Sequence, residues 1–65
     1  MKYRLKEIRE LKNMSVEELS EKSGVSRNWI WKIESGRAEN VSVKILLALA
    51  GALDTRMDDL FILEN

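Results

Sequence analysis

Apolar residues recur at helical spacing almost from the start of the chain. Leu5, Ile8 and Leu11 fall three apart and predict a buried stripe on a helix from about Tyr3 to Lys12. Lys2, Arg4, Lys6, Arg9 and Lys12 surround that stripe together with Glu7 and Glu10. Asn13-Met14 closes the helix, with Met14 placed to pack under the next. Ser15 followed by Glu18 has the spacing of a capping box, so a second helix starts there and runs to about Lys22, pointing Leu19 inward. Gly24 can take a positive φ without steric cost and supplies a turn, which Val25 plugs. Ser26 caps a third helix from about Arg27 to Ser35, with Ile30 and Ile33 on its inner face and Gly36 as the terminating glycine. Arg37 to Val41 reads as a loop. A fourth helix follows Ser42 and extends to about Ala52, its inner face predicted as Val43, Leu46, Leu47 and Ala50, widened by Ile45 and Leu49. Ala48, Ala50, Gly51 and Ala52 predict a close backbone approach that offsets the low helix propensity of Gly51. Thr55 is then placed to cap a fifth helix, with Asp58 in the box role and Met57, Leu60 and Phe61 as anchors.

These elements predict an all-α fold of five helices in a single domain spanning residues 1–65. A chain this short buries only about 60% of the surface its unfolded form exposes, so its stability is modest unless a partner adds to it. The absence of cysteine excludes disulfides, and the absence of histidine removes the commonest metal ligand and general base. No run of about 20 apolar residues could span a bilayer, and no secretory leader precedes the amphipathic start, so a cytoplasmic location is the expectation. Formal net charge is zero, but it is unevenly spread. Residues 1–37 carry nine basic and six acidic groups, a net of plus three, and residues 38–65 carry two basic and five acidic groups, a net of minus three. Such a bipolar chain can turn a basic side toward phosphates.

The second and third helices around Gly24 have the form of a helix-turn-helix, whose second helix can enter the major groove of B-DNA. Arg27, Asn28, Trp31 and Lys32 are left on the side of the third helix away from Ile30 and Ile33. Arg27 and Asn28 lie in its first turn, where arginine can pair with guanine and asparagine with adenine. Trp31 is expected outside, against a thymine methyl or a sugar edge, with a second protomer as the rival contact. Lys32 is grouped with the base contacts, although its position also suits a phosphate, as does that of Arg37. Trp29 is expected to wrap over the core edge beside the second helix, its indole N–H within reach of a phosphate. Ser15 and Val16 open the second helix, where free amides can receive a phosphate. Asn40 joins Arg37 as a backbone contact, while Glu39 beside it would repel a close phosphate. Glu34 opposes the dipole at the end of its helix and should be paired with Arg9 or Arg4.

The stretch Ser15-Val16-Glu17-Glu18-Leu19-Ser20, then Gly24-Val25-Ser26, Ile30 and Ile33-Glu34-Ser35-Gly36 resembles the lambda/434-repressor-like (Cro/C1-type) helix-turn-helix family. The resemblance covers about residues 4 to 61. It implies a compact five-helix DNA-binding domain that meets its operator as a two-fold dimer, with Arg27, Asn28 and Trp31 in the groove-facing places. Family members often carry a glutamine where this chain has Val16, so one side-chain donor to the DNA backbone is missing. The family includes phage-type repressors, controllers of restriction–modification systems and antitoxins, and the sequence leaves all three open.

One domain of this size cannot readily bury Leu53, Met57, Phe61, Ile62 and Leu63 together, so these are the predicted dimer contacts; the rival is a tail that covers the first helix. Dimerisation would set two recognition helices about 34 Å apart and match a near-palindromic site. The leading functional reading is therefore a sequence-specific, double-stranded-DNA-binding transcriptional regulator, a small repressor acting as a homodimer. The alternative is a protein–protein interaction module on the same fold, such as an antitoxin. An enzyme is disfavoured, because the carboxylates lie on helical faces and Ser15 with Glu18 is explained by capping. No catalytic residue, metal, cofactor, small-molecule ligand or membrane partner is predicted.

Overall fold

The computed structural model describes residues 2–62. A short strand β1 (Lys2–Tyr3) leads into α1 (Leu5–Leu11), α2 (Val16–Ser23), α3 (Arg27–Glu34) and α4 (Val43–Leu53). A 3₁₀ turn (Met57–Leu60) and strand β2 (Phe61–Ile62) follow. β2 runs antiparallel to β1, pairing Lys2 with Ile62 and Tyr3 with Phe61. Helix α2 packs against both α3 and α4, and α1 lies against α3. Among the described residues no helix is long and apolar enough to cross a membrane.

The core is a single cluster of Leu5, Ile8, Leu19, Val25, Ile30, Ile33, Leu46, Leu49, Ala50, Leu53 and Leu60. Among the described residues α2, α3 and α4 are each opened by a serine. Ser15 and Glu18 form the full capping box, Ser26 Oγ accepts from Trp29 N at 3.2 Å, and Ser42 Oγ accepts from Ile45 N at 3.2 Å. These caps occupy amide donors that helix geometry leaves free, and they fix where each helix starts. Arg4 precedes α1 without a side-chain cap; its guanidinium reaches Glu7 at 3.2 Å instead.

The five-helix expectation is overturned: the described residues form four α-helices, a 3₁₀ turn and a strand pair. Thr55 does not cap a helix, because its hydroxyl donates to the Asp59 carboxylate at 3.2 Å, and Arg56 precedes the turn without a side-chain cap. The chain then goes extended so that Phe61 and Ile62 can pair with β1, and the Arg4 amide donates to the Leu60 carbonyl at 2.7 Å. The same pairing holds Lys2 and Tyr3 extended, so α1 starts at Leu5 and not at Tyr3. Tyr3 adds a long-range tie, its hydroxyl accepting from Val41 N at 3.3 Å.

Helix phase corrects other expectations. Leu11 is 73% exposed. Successive steps of three residues drift around a helix of 3.6 residues per turn, so by Leu11 the stripe begun at Leu5 has left the core face. In α4 the inner face is Leu46, Leu49, Ala50 and Leu53, whereas Val43 and Leu47 are 59% and 56% exposed. The helix is turned so that Leu53 enters the core, where it is 1% exposed and has no surface left for a partner. Gly51 faces open space, with nothing within 4 Å of a Cβ built there, so no close approach offsets its cost. Among the expected dimer contacts, Met57 and Phe61 are half-buried against the core and Ile62 is exposed; Leu63 lies outside the described residues.

Candidate nucleic-acid interface

The site is built around the joint between α2 and α3. Gly24 ends α2 at φ 77°, a left-handed conformation that costs an L-residue with a Cβ about 1–2 kcal/mol. Val25 follows and is buried. Two serines of α2 hold this turn from behind: Ser20 Oγ donates to the Val25 carbonyl at 2.6 Å, and Ser23 Oγ accepts from Val25 N at 3.1 Å. Neither contact follows from periodicity, since both depend on how the chain doubles back after Gly24. Ile30 and Ile33 then seat α3 in the core at 0% and 2% exposure. The rest of α3 is forced outward.

The C-terminal end of α3 is fixed by a clasp. Glu34 accepts from Arg9 through both carboxylate oxygens, at 2.8 Å from Nε and 3.1 Å from Nη2. Arg9 Nη1 also donates to the Met14 carbonyl at 2.8 Å. Of the two partners expected for Glu34, Arg9 is the one used. The hydrogen bond to Glu34 raises the Arg9 pKa above its already high ordinary value, so this guanidinium stays charged. One arginine thereby joins α1, the α1–α2 connection and α3. Gly36, at φ 79°, lets the chain fold back so that Arg37 N and Ala38 N both donate to the Lys32 carbonyl.

Arg27, Asn28, Trp31 and Lys32 are all exposed. Three of them come together: Ser26, Arg27, Asn28 and Trp31 line one hollow on the outer face. The fourth is drawn aside, because the Lys32 ammonium stands 5.5 Å from the centroid of the Trp29 ring. Trp29 itself is half-exposed. It lines a groove with the residues from Ser23, at the end of α2, to Ser26 and with Lys44, Ile45 and Ala48 of α4. Arg37 and Asn40 are exposed in the loop after α3. Ser15 is exposed but its hydroxyl is committed to the cap, and Val16 is half-buried against the core.

Three further charges border this surface. Lys44 shares the Trp29 groove, and Lys2 lines a hollow with Glu34, Ser35 and Gly36 at the far end of α3. Glu17 stands 3.6 Å from the Arg27 guanidinium. Sequence spacing could not find these neighbours: each belongs to a different element, and only the crossing of the elements brings it in. Among the described residues no cluster of three His, Cys, Asp or Glu side chains could hold a metal ion. What the surface offers is a projecting helix with a cation, an amide and an aromatic ring at its outer N-terminal side, flanked by further cations.

The helix-turn-helix family model HTH_3 matches residues 5–60. Over 65 residues the chain is 38% identical to an uncharacterised HTH-type transcriptional regulator of Methanocaldococcus jannaschii, covering 100% of this chain and 97% of that protein. It is 36% identical to another from Archaeoglobus fulgidus, with 100% and 90% covered. The crystal structure of the restriction-modification controller protein C.AhdI from Aeromonas hydrophila superposes with a TM-score of 0.81 at 41% identity, covering 89% of this chain and 86% of that one.

Proposed function

The chain belongs to the Cro/C1-type helix-turn-helix family of transcriptional regulators, and from that premise we propose how it works. It is a sequence-specific regulator that binds double-stranded DNA and not an enzyme. Helix α3 enters the major groove and reads base edges with Arg27, Asn28 and Trp31. One observation carries this reading: those three side chains stand exposed around a single hollow on the outer face of α3. A guanidinium, a carboxamide and a ring face are the groups that pair with guanine, pair with adenine and cover a thymine methyl. Lys32, beside Trp29, serves as a backbone contact as readily as a base contact. Trp29, Arg37, Asn40 and the amides opened by Ser15 and Val16 meet phosphates, with Lys44 as an added cation.

The protein acts in the cytoplasm as a homodimer, and it represses by occupying a promoter. Val43 and Leu47, one turn apart on the exposed side of α4, supply an apolar strip for the two-fold contact in place of the buried Leu53. Ile62 remains exposed and available. C.AhdI is by name a restriction-modification controller, and the likeness to it favours that role here over a phage repressor or an antitoxin. Selection of bound duplexes from a random pool tests the reading. The expected winners are near-palindromes with half-sites about 34 Å apart, bound by two chains. A pool that shows no enrichment contradicts it and favours a protein-binding module.

A further inference from the structure

The outer side of α2 is acidic where α3 begins. Glu17 and Glu21, one turn apart, line a hollow with Ser20 and Arg27. Within it Arg27 Nη1 stands 3.6 Å from Glu17 Oε1, and both side chains are more than half exposed. An exposed pair of this kind contributes little to stability, so the fold has no need of it. Its consequence falls on Arg27. The residue that opens α2, Val16, is apolar and half-buried, which leaves Glu17 as the polar group that the first turn of α2 extends to the guanidinium.

We propose that Glu17 is a positioning residue that sets the sequence discrimination of Arg27; this rests on the reading of Arg27 as a groove contact. A free arginine on a long stem is attracted to any phosphate, and that attraction carries no sequence information. A carboxylate beside it offsets its charge toward the backbone and restricts its swing. The planar fork keeps N–H donors free for the O6 and N7 acceptors of guanine. Glu17, as an acceptor only, adds repulsion toward any phosphate that approaches the start of α2. The pair therefore lowers affinity for arbitrary DNA more than affinity for the right site.

The test compares Glu17→Gln, Arg27→Gln and the double variant with the natural protein, on the selected operator and on a scrambled duplex of equal length, at two salt concentrations. Glu17→Gln is expected to strengthen binding to the scrambled duplex by about threefold or more and to narrow the operator-to-scrambled ratio by a similar factor. In the Arg27→Gln background the same change is expected to move the ratio less than about twofold, since its target is gone. Equal narrowing in both backgrounds would show a general charge effect and overturn the proposal, as would an unchanged ratio in the natural background. Should Arg27→Gln alone leave the ratio intact, the groove assignment of Arg27 fails and the proposal fails with it. Thermal melts of the three variants, expected to overlay that of the natural protein, establish that each is folded.

Discussion

Replacing Glu34 by alanine should remove a sizeable share of the fold's stability. The Arg9 and Glu34 side chains are only 13% and 7% exposed, and the carboxylate accepts two hydrogen bonds from one guanidinium. Removing one member of a buried pair costs about 3–5 kcal/mol, because the other charge stays behind without a partner. Here the pair is only partly buried, and Arg9 keeps its bond to the Met14 carbonyl and some access to water, so the cost falls somewhat below that range, about 2–3 kcal/mol. A 65-residue domain has about 3–10 kcal/mol in all. The variant is therefore expected to melt about 10–20 °C lower, or to be largely unfolded at physiological temperature. Urea and thermal melts followed by circular dichroism check this, at matched protein concentration because self-association would add apparent stability. The double variant Arg9→Met/Glu34→Leu should recover much of the loss, since two apolar side chains leave no stranded charge. A Glu34→Ala protein within about 0.5 kcal/mol of the natural one would refute this reasoning. So would single-variant losses that simply add in the double.

Other outcomes are expected from single positions. Gly51→Ala should stabilise the fold by about 0.8–1 kcal/mol in a chemical melt, since the new methyl meets nothing and α4 gains a better helix former; a loss of stability would show that the site is not open. If the proposed homodimer forms through α4, Leu47→Lys should shift sedimentation from dimer to monomer with little change in the helical signal, because Leu47 packs outside the core; an intact dimer would move the interface elsewhere. The Glu7 pKa is lowered by its hydrogen bond to Arg4. Whatever that exposed pair contributes is present above the ordinary carboxylate pKa and fades as pH falls through the lowered folded value. Carboxylate titration by NMR should show Glu7 moving back up in an Arg4→Gln variant, and no movement would break the assignment.

Local chemistry was readable and helix phase was not. The Ser15–Glu18 box, the Ser26 cap, the start of α4 after Ser42 and the left-handed Gly24 and Gly36 all act over a few residues, and each stands where the sequence puts it. Partnering of Glu34 was also inferable, because an acid at a helix C-terminus needs a cation. In α4, however, apolar residues occur on more than one side, so two phases fit equally well, and the choice was made by the burial of Leu53 in the folded core. The fifth helix failed because Phe61 and Ile62 find strand partners in Lys2 and Tyr3, a pairing between chain ends that no local pattern reveals. In the site, exposure of Arg27, Asn28 and Trp31 followed from the Ile30–Ile33 face. The approach of Lys32 to Trp29 is an i,i+3 contact within α3 that helical spacing allows, whereas the pull of Glu17 on Arg27 crosses from α2 to α3 and required three dimensions.

The most direct test of the central claim is the affinity of an Arg27→Ala/Asn28→Ala variant for the selected operator and for a scrambled duplex at equal salt. If these exposed side chains read bases, operator affinity falls about thirtyfold or more, at about 1–3 kcal/mol for each of the two lost bidentate contacts, and scrambled binding falls much less. Equal losses on both duplexes, in a variant that still melts like the natural protein, would mean that α3 does not read sequence with these residues.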